Sequence, residues 1–139
     1  MAEWETGIER LKAAYREWNA SKGRSVDTWL ALLAHEVDFR SLANGGLGIP
    51  WTRTRKSPAE VKDYLLGLTS DFEMQHYTVD RYVCEGDTIV ALGSTGWRHR
   101  RTGRAFDTPK VDVWRFRDGK AISYFEFYDT AAVGATAVP

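Results

Sequence analysis

Two acidic residues stand among aromatic rings in the second half of the chain. Asp112 lies in Lys110-Val111-Asp112-Val113-Trp114-Arg115-Phe116, and strand alternation puts Trp114 and Phe116 on its side. A carboxyl on a largely aromatic face loses hydration, which favours the neutral acid. A neutral acid can donate a hydrogen bond to a developing oxyanion. The plainer alternative is an ion pair with Lys110, Arg98 or Arg100. Glu126, in Tyr124-Phe125-Glu126-Phe127-Tyr128, shares a face with Tyr124 and Tyr128 and is a candidate base. Its alternative is a salt bridge to Arg40 or to an arginine of 98–101. Tyr15 offers a phenol on an apolar body, although the helical stripe it belongs to explains a ring there equally well.

Other reactive side chains form no set. His35, His76 and His99 make no metal-ligand spacing, no His/Asp/Glu cluster points to a metal, and each histidine reads as structural. The 1 cysteine, Cys84, excludes a disulfide framework and a multi-cysteine zinc site. Ser41, Ser94 and Ser123 lack a nucleophile-elbow context. Arg98, Arg100, Arg101 and Arg104 make a basic stretch on a hairpin, where charge solvates well. With Lys+Arg 19 against Asp+Glu 19 the formal net charge is zero, so neither a nucleic-acid partner nor a polybasic membrane surface is expected.

The elements that must position these groups are legible from periodicity. In 139 residues one domain is expected, spanning 1–139. Trp4, Ile8, Leu11, Tyr15 and Trp18 form one stripe of a first helix over 3–21. Ser25 is a suitable cap for a short second helix that ends near His35. Residues 36–42 alternate, with Val37 and Phe39 opposite Glu36, Asp38 and Arg40. A loop rich in glycine and proline follows through Trp51. Ser57-Pro58-Ala59-Glu60 is a helix start, with Ser57 as cap, Pro58 at the first helical position and Glu60 three beyond the cap. The stripe Val61, Tyr64, Leu65, Leu68, Phe72 extends it over 58–71. The runs 76–84, 88–100, 109–117 and 121–129 then alternate with period two, with glycine turns between them, and predict an antiparallel meander. The tail from Ala131 is expected to fray. No apolar run is long enough to span a membrane, and the first residues lack the pattern of a signal peptide, so the cytoplasm is the default location.

Helix, helix, strand, Gly/Pro loop, helix and four-stranded meander together resemble the NTF2-like cone, in its SnoaL-like and ketosteroid-isomerase-like branch. Phe39-Arg40-Ser41, the Pro50-Trp51 loop, Ser57-Pro58 and the closing Phe127-Tyr128-Asp129-Thr130-Ala131-Ala132 carry the likeness over roughly residues 5–132. The resemblance implies an α+β fold, three helices held in a curved, mainly antiparallel mixed sheet with a pocket. It also implies a cofactor-independent acid–base enzyme, such as an isomerase, cyclase or dehydratase, on a mainly apolar substrate. A non-catalytic ligand-binding or dimerisation module is the alternative, because this fold does not settle function.

By the same resemblance, Asp112 and Tyr15 match the isomerase pair that binds an oxyanion. The isomerase's general-base position falls on Ser41, which cannot abstract a carbon acid's proton unaided. Asp38 lies three residues away and reaches the same face only through a bulge. A related epoxide hydrolase carries an acid near Glu126, but its arginine–aspartate pair would fall near Gly93 and Thr95. Trp51, Trp114, Tyr124, Tyr128, Ser41 and Phe116 are the expected pocket wall, around an apolar or aromatic small molecule. Phe125 and Phe127 fall on the opposite sheet face, where a homodimer partner is expected.

Overall fold

A computed structural model describes residues 1–139. Helices α1 (Glu3–Ala20) and α2 (Val26–Leu32) lead into strand β1 (Leu33–Ser41). A single 3-10 turn (Pro50–Thr52) precedes α3 (Pro58–Asp71). Strands β2 (Phe72–Glu85), β3 (Thr88–His99), β4 (Ala105–Arg117) and β5 (Lys120–Tyr128) follow, and a short helix α4 (Thr130–Ala135) closes the chain. The sheet order is β1-β5-β4-β3-β2, with β1 parallel to β5 and every other pair antiparallel. No helix is long and apolar enough to cross a membrane.

Helix α3 starts where the sequence places it. Ser57 Oγ accepts from Glu60 N at 3.2 Å, and Glu60 Oε1 reaches back to Lys56 N at 3.0 Å. That reciprocal arrangement satisfies two backbone donors that no helical carbonyl can reach. Helix α2 differs from expectation. Ser25 holds the N-cap position, but its side chain accepts no helix N–H; Ser21 Oγ accepts from Arg24 N and Ser25 N, both at 3.1 Å.

Three further expectations are corrected. Strand β2 begins at Phe72, with no turn after α3, so Phe72 packs from the sheet and not from the helix. Strand β1 begins at Leu33, which places His35 in a strand. The tail does not fray: Asp129 Oδ1 caps α4 through Ala132 N at 3.0 Å, and Val133 and Thr136 are buried.

The sheet's inner face carries the core and its hollow. On β4, Thr108, Lys110, Asp112, Trp114 and Phe116 point inward and are buried. The outer face carries Val90, Leu92, Val111, Val113, Phe125 and Phe127. Register aligns Val83, Val90, Val113 and Phe125 in one row across β2, β3, β4 and β5. A bulge opposite Arg115 and Phe116 leaves Ile122 of β5 without a partner on β4, and it lies beside Asp38 and Lys56.

Candidate functional site

The helices lie in the curve of the sheet and leave a cavity of about 850 Å³, counted out to its open mouth. Of its 25 lining residues 19 are hydrophobic, and the charged ones are Lys110, Asp112 and Glu126. A concave apolar site with a few convergent polar groups is the usual form of a small-molecule pocket.

The polar floor is one connected network. Asp112 Oδ2 accepts from Tyr15 Oη and Tyr77 Oη, both at 2.5 Å. Asp112 Oδ1 accepts from Lys110 Nζ at 2.6 Å and Tyr124 Oη at 3.1 Å. Lys110 Nζ also lies 2.9 Å from Glu126 Oε1, and Tyr124 Oη reaches that same oxygen at 2.8 Å. Tyr64 Oη donates to Glu126 Oε2. Trp114 Nε1 donates to Tyr15 Oη at 2.8 Å, and Ser41 Oγ pairs with Tyr128 Oη at 2.7 Å. Strand parity explains the convergence: Lys110, Asp112 and Trp114 share a face of β4, and register sets Asp112 beside Glu126 and Trp114 beside Tyr124.

The electrostatics follow from burial and pairing. Burial works against the Lys110 ammonium, but the charges of Asp112 and Glu126 outweigh it and raise its affinity for the proton. Burial likewise disfavours the Glu126 carboxylate, yet Lys110 and the Tyr64, Ser41 and Lys110 hydrogen bonds hold it below its ordinary value. Tyr15, Tyr64, Tyr77 and Tyr124 are pushed well above the usual phenol range, first by burial and then by the neighbouring carboxylates.

A family model described as a SnoaL-like domain matches residues 11–124. The chain belongs to that family. Curated protein sequences yield no match. An NTF2-like protein from Burkholderia thailandensis E264 is similar in structure, with TM-score 0.81, 23% identity, and 100% of this chain and 99% of that chain covered. A protein of ketosteroid isomerase-like fold from Catenulispora acidiphila DSM 44928, in complex with trimethylamine, gives TM-score 0.76 at 18% identity, covering 96% of this chain and 95% of that one. TerC, co-crystallized with polyporic acid, gives TM-score 0.76 at 21% identity, covering 94% and 97%. Identities this low carry the fold alone, and that fold is the NTF2-like cone the sequence resembles.

In this SnoaL-like domain the expected site residues divide. Asp112, Tyr15 and Glu126 meet in one network, and Trp51, Trp114, Tyr124 and Tyr128 line the cavity around them. Asp112 is not a free donor, however. Both its oxygens are acceptors, with Lys110 against one of them, so the ion-pair alternative is the one realised. Asp38 is corrected outright. It points to the other face of β1 and pairs with Lys56 Nζ at 2.7 Å and Arg40 Nε at 3.2 Å. The shift between Leu33 and Asp38 in the β1–β5 register does not bring it inward. Arg40 thereby pairs with Asp38 and not with Glu126.

Phe116 is also corrected: it is 0% exposed and lies outside the cavity wall. A Cβ on Gly7 would fall 2.5 Å from its ring, so Phe116 fills the space under α1. Ser41 sits behind the wall and holds Tyr128. Trp51 reaches the cavity because Gly67 leaves room for it, a Cβ there meeting Trp51 at 2.6 Å, and because Trp51 Nε1 donates to Asp71 Oδ2 at 2.8 Å.

Sequence reasoning missed Tyr77 and Tyr64 as floor residues and offered Lys110 only as one possible ion-pair partner of Asp112. Parity already put Lys110 beside Asp112, but a lysine between a proline and a valine also fits an outward position. Tyr64 sits on a clean helical stripe, and nothing in a stripe tells packed core from cavity wall. Trp18 and Trp29, which also line the cavity, are hidden for the same reason.

Proposed function

We propose that this SnoaL-like domain is a small-molecule pocket protein whose ligand is mainly apolar or aromatic and is oriented by the Lys110–Asp112–Glu126 floor. The supporting observation is the cavity itself, walled largely by rings and carrying its charge at one place. Trimethylamine and polyporic acid in the two neighbours named above are in keeping with a cone that takes small molecules.

The floor favours binding over acid–base turnover. General acid–base catalysis is most effective when the group titrates near the working pH. Here the ammonium and the phenols are pushed up and Glu126 is pushed down, each away from neutrality. The enzymatic reading, an isomerase, cyclase or dehydratase, retains one specific feature. Glu126 is a buried acceptor on the cavity wall, held by Tyr64, and a carboxylate there is the group that could take an acidic proton of a substrate. The outer sheet face, with its row of Val83, Val90, Val113 and Phe125, is proposed to cover itself with a second copy of the chain.

Thermal melts against a panel of aromatic fragments test the binding reading. A ligand of the folded state raises the melting temperature in proportion to the logarithm of its concentration. Trp51→Ala should reduce that rise while the unliganded protein stays folded. A panel with no stabilising member would overturn the reading. Turnover of a carbon-acid substrate that is abolished by Glu126→Gln would favour the enzymatic one.

A further inference from the structure

The floor has hardly a spare donor. Lys110 has three N–H protons, and four oxygens lie within reach: Asp112 Oδ1 at 2.6 Å, Glu126 Oε1 at 2.9 Å, Tyr77 Oη at 2.9 Å and Tyr124 Oη at 3.2 Å. The hydroxyl protons of Tyr15 and Tyr77 go to Asp112, that of Tyr64 to Glu126, and that of Tyr124 to either carboxylate. Ser41 and Tyr128 keep one proton between them, and Ser41 is also directed toward Glu126. An oxyanion entering this site would find its natural donors already engaged. Breaking one of those bonds would leave a buried acceptor unpaired.

The charge points the same way. Two carboxylates face one ammonium, and no other charged side chain lines the cavity. The nearby buried guanidinium of Arg55 lies outside the wall, held by the carbonyls of Arg53, Glu60 and Trp51. A cluster with one uncompensated negative charge in an apolar surrounding is stabilised by a cation. The rings are suited to one as well. Lys110 Nζ already sits 5.2 Å from the Tyr77 ring centre and 5.8 Å from that of Tyr124.

We infer that the ligand is an organic monocation, an amine or ammonium group carrying apolar substituents, whose charge rests against the Glu126 side of the floor among the aromatic rings. This rests on the binding reading above and names its ligand class. It makes Glu126, with Asp112 behind it, the determinant of charge selectivity, and the rings the determinant of shape.

Phenyltrimethylammonium and tert-butylbenzene test it, because they share a shape and differ in charge. Their affinities are read from tryptophan fluorescence. The expected result is tighter binding of the cation by about ten-fold or more. Glu126→Gln should bring the two within about two-fold, chiefly by weakening binding of the cation. Asp112→Asn should act in the same direction, so the test survives if one variant fails to fold. Equal binding of the two probes, or preference for the neutral one, overturns the inference and leaves the pocket reading intact. A preference that persists in both variants also overturns it, since the carboxylates would not be its source. Binding of neither probe counts against the inference and the pocket reading together.

Discussion

Lys110 and Asp112, two residues apart on β4, form an ion pair buried on the inner face of the sheet, with Nζ 2.6 Å from Oδ1. The side chains are 8% and 2% exposed, so water contributes almost nothing to their solvation. The pair is therefore tolerable only as part of a satisfied network, and the surrounding tyrosines supply it.

Lysine 110 should accordingly be hard to remove. Lys110→Met leaves Asp112 and Glu126 as uncompensated buried charges, and breaking such a pair costs about 3–5 kcal/mol. Urea denaturation followed by far-UV circular dichroism should show a loss of that size. Adding Asp112→Asn should recover part of it, since one of the two stranded charges is then gone. A Lys110→Met protein as stable as the parent would show that the pair is not formed.

Glu126 gives an acid-side prediction. Its proton affinity is lower in the folded chain than in the unfolded one. Such a group contributes stability that is fully present above the unfolded value, about 4.3, and is lost as pH falls through the folded value. Stability of the parent should therefore fall more steeply than that of Glu126→Gln below about pH 4.3. Denaturant melts from neutral pH down to pH 3 would reveal it. Parallel curves for the two proteins would contradict the assignment.

The tyrosines give an alkaline-side prediction. All 6 are raised above the ordinary phenol value, Tyr82 and Tyr128 to about 12, and burial and the neighbouring carboxylates push Tyr15, Tyr64, Tyr77 and Tyr124 well up as well. Ultraviolet titration of the native protein should show no phenolate absorbance near pH 10, where free tyrosine ionises. Absorbance should rise near pH 12 or with alkaline unfolding. Phenols that bind the proton more tightly when folded stabilise the fold below their unfolded value, and that stability drains as pH climbs past it. A phenolate signal near pH 10 from a folded protein would mean that the floor is wet.

Phe127, 38% exposed beside Phe125 on the outer face, should govern self-association. Sedimentation of the parent is expected to give a dimer, and Phe127→Lys a monomer that keeps the parent's circular dichroism. A monomeric parent would remove the second copy from the account.

Much of this was legible in the chain. The cap at Ser57, the parity of Val37 and Phe39, and the glycine turns at Gly86, Gly103 and Gly119 each rest on local physics, and each is realised. The parity that put Asp112, Trp114 and Phe116 on one face held as well. Distances along that face were not legible. Phe116 and Trp114 alternate identically, yet only the packing of α1 decides that one is sealed and the other lines the cavity. The partner of Asp112 was open for a related reason, because a buried lysine is uncommon and its sign of selection is the ring of phenols brought in from α1, α3, β2 and β5. Helix-to-strand transitions without turn residues, as at Phe72 and Leu33, leave no local mark at all.

The central claim is that small aromatic molecules enter the cone and rest on the Lys110–Asp112–Glu126 floor. Indole N–H signals provide the most direct measurement, because Trp18, Trp29, Trp51, Trp97 and Trp114 line the cavity while Trp4 does not. In a nitrogen–proton correlation titration with 2-naphthol, indole signals of the lining tryptophans should move in a saturable way, and that of Trp4 should stay in place. Signals that do not move, or a shift confined to Trp4, would contradict the account.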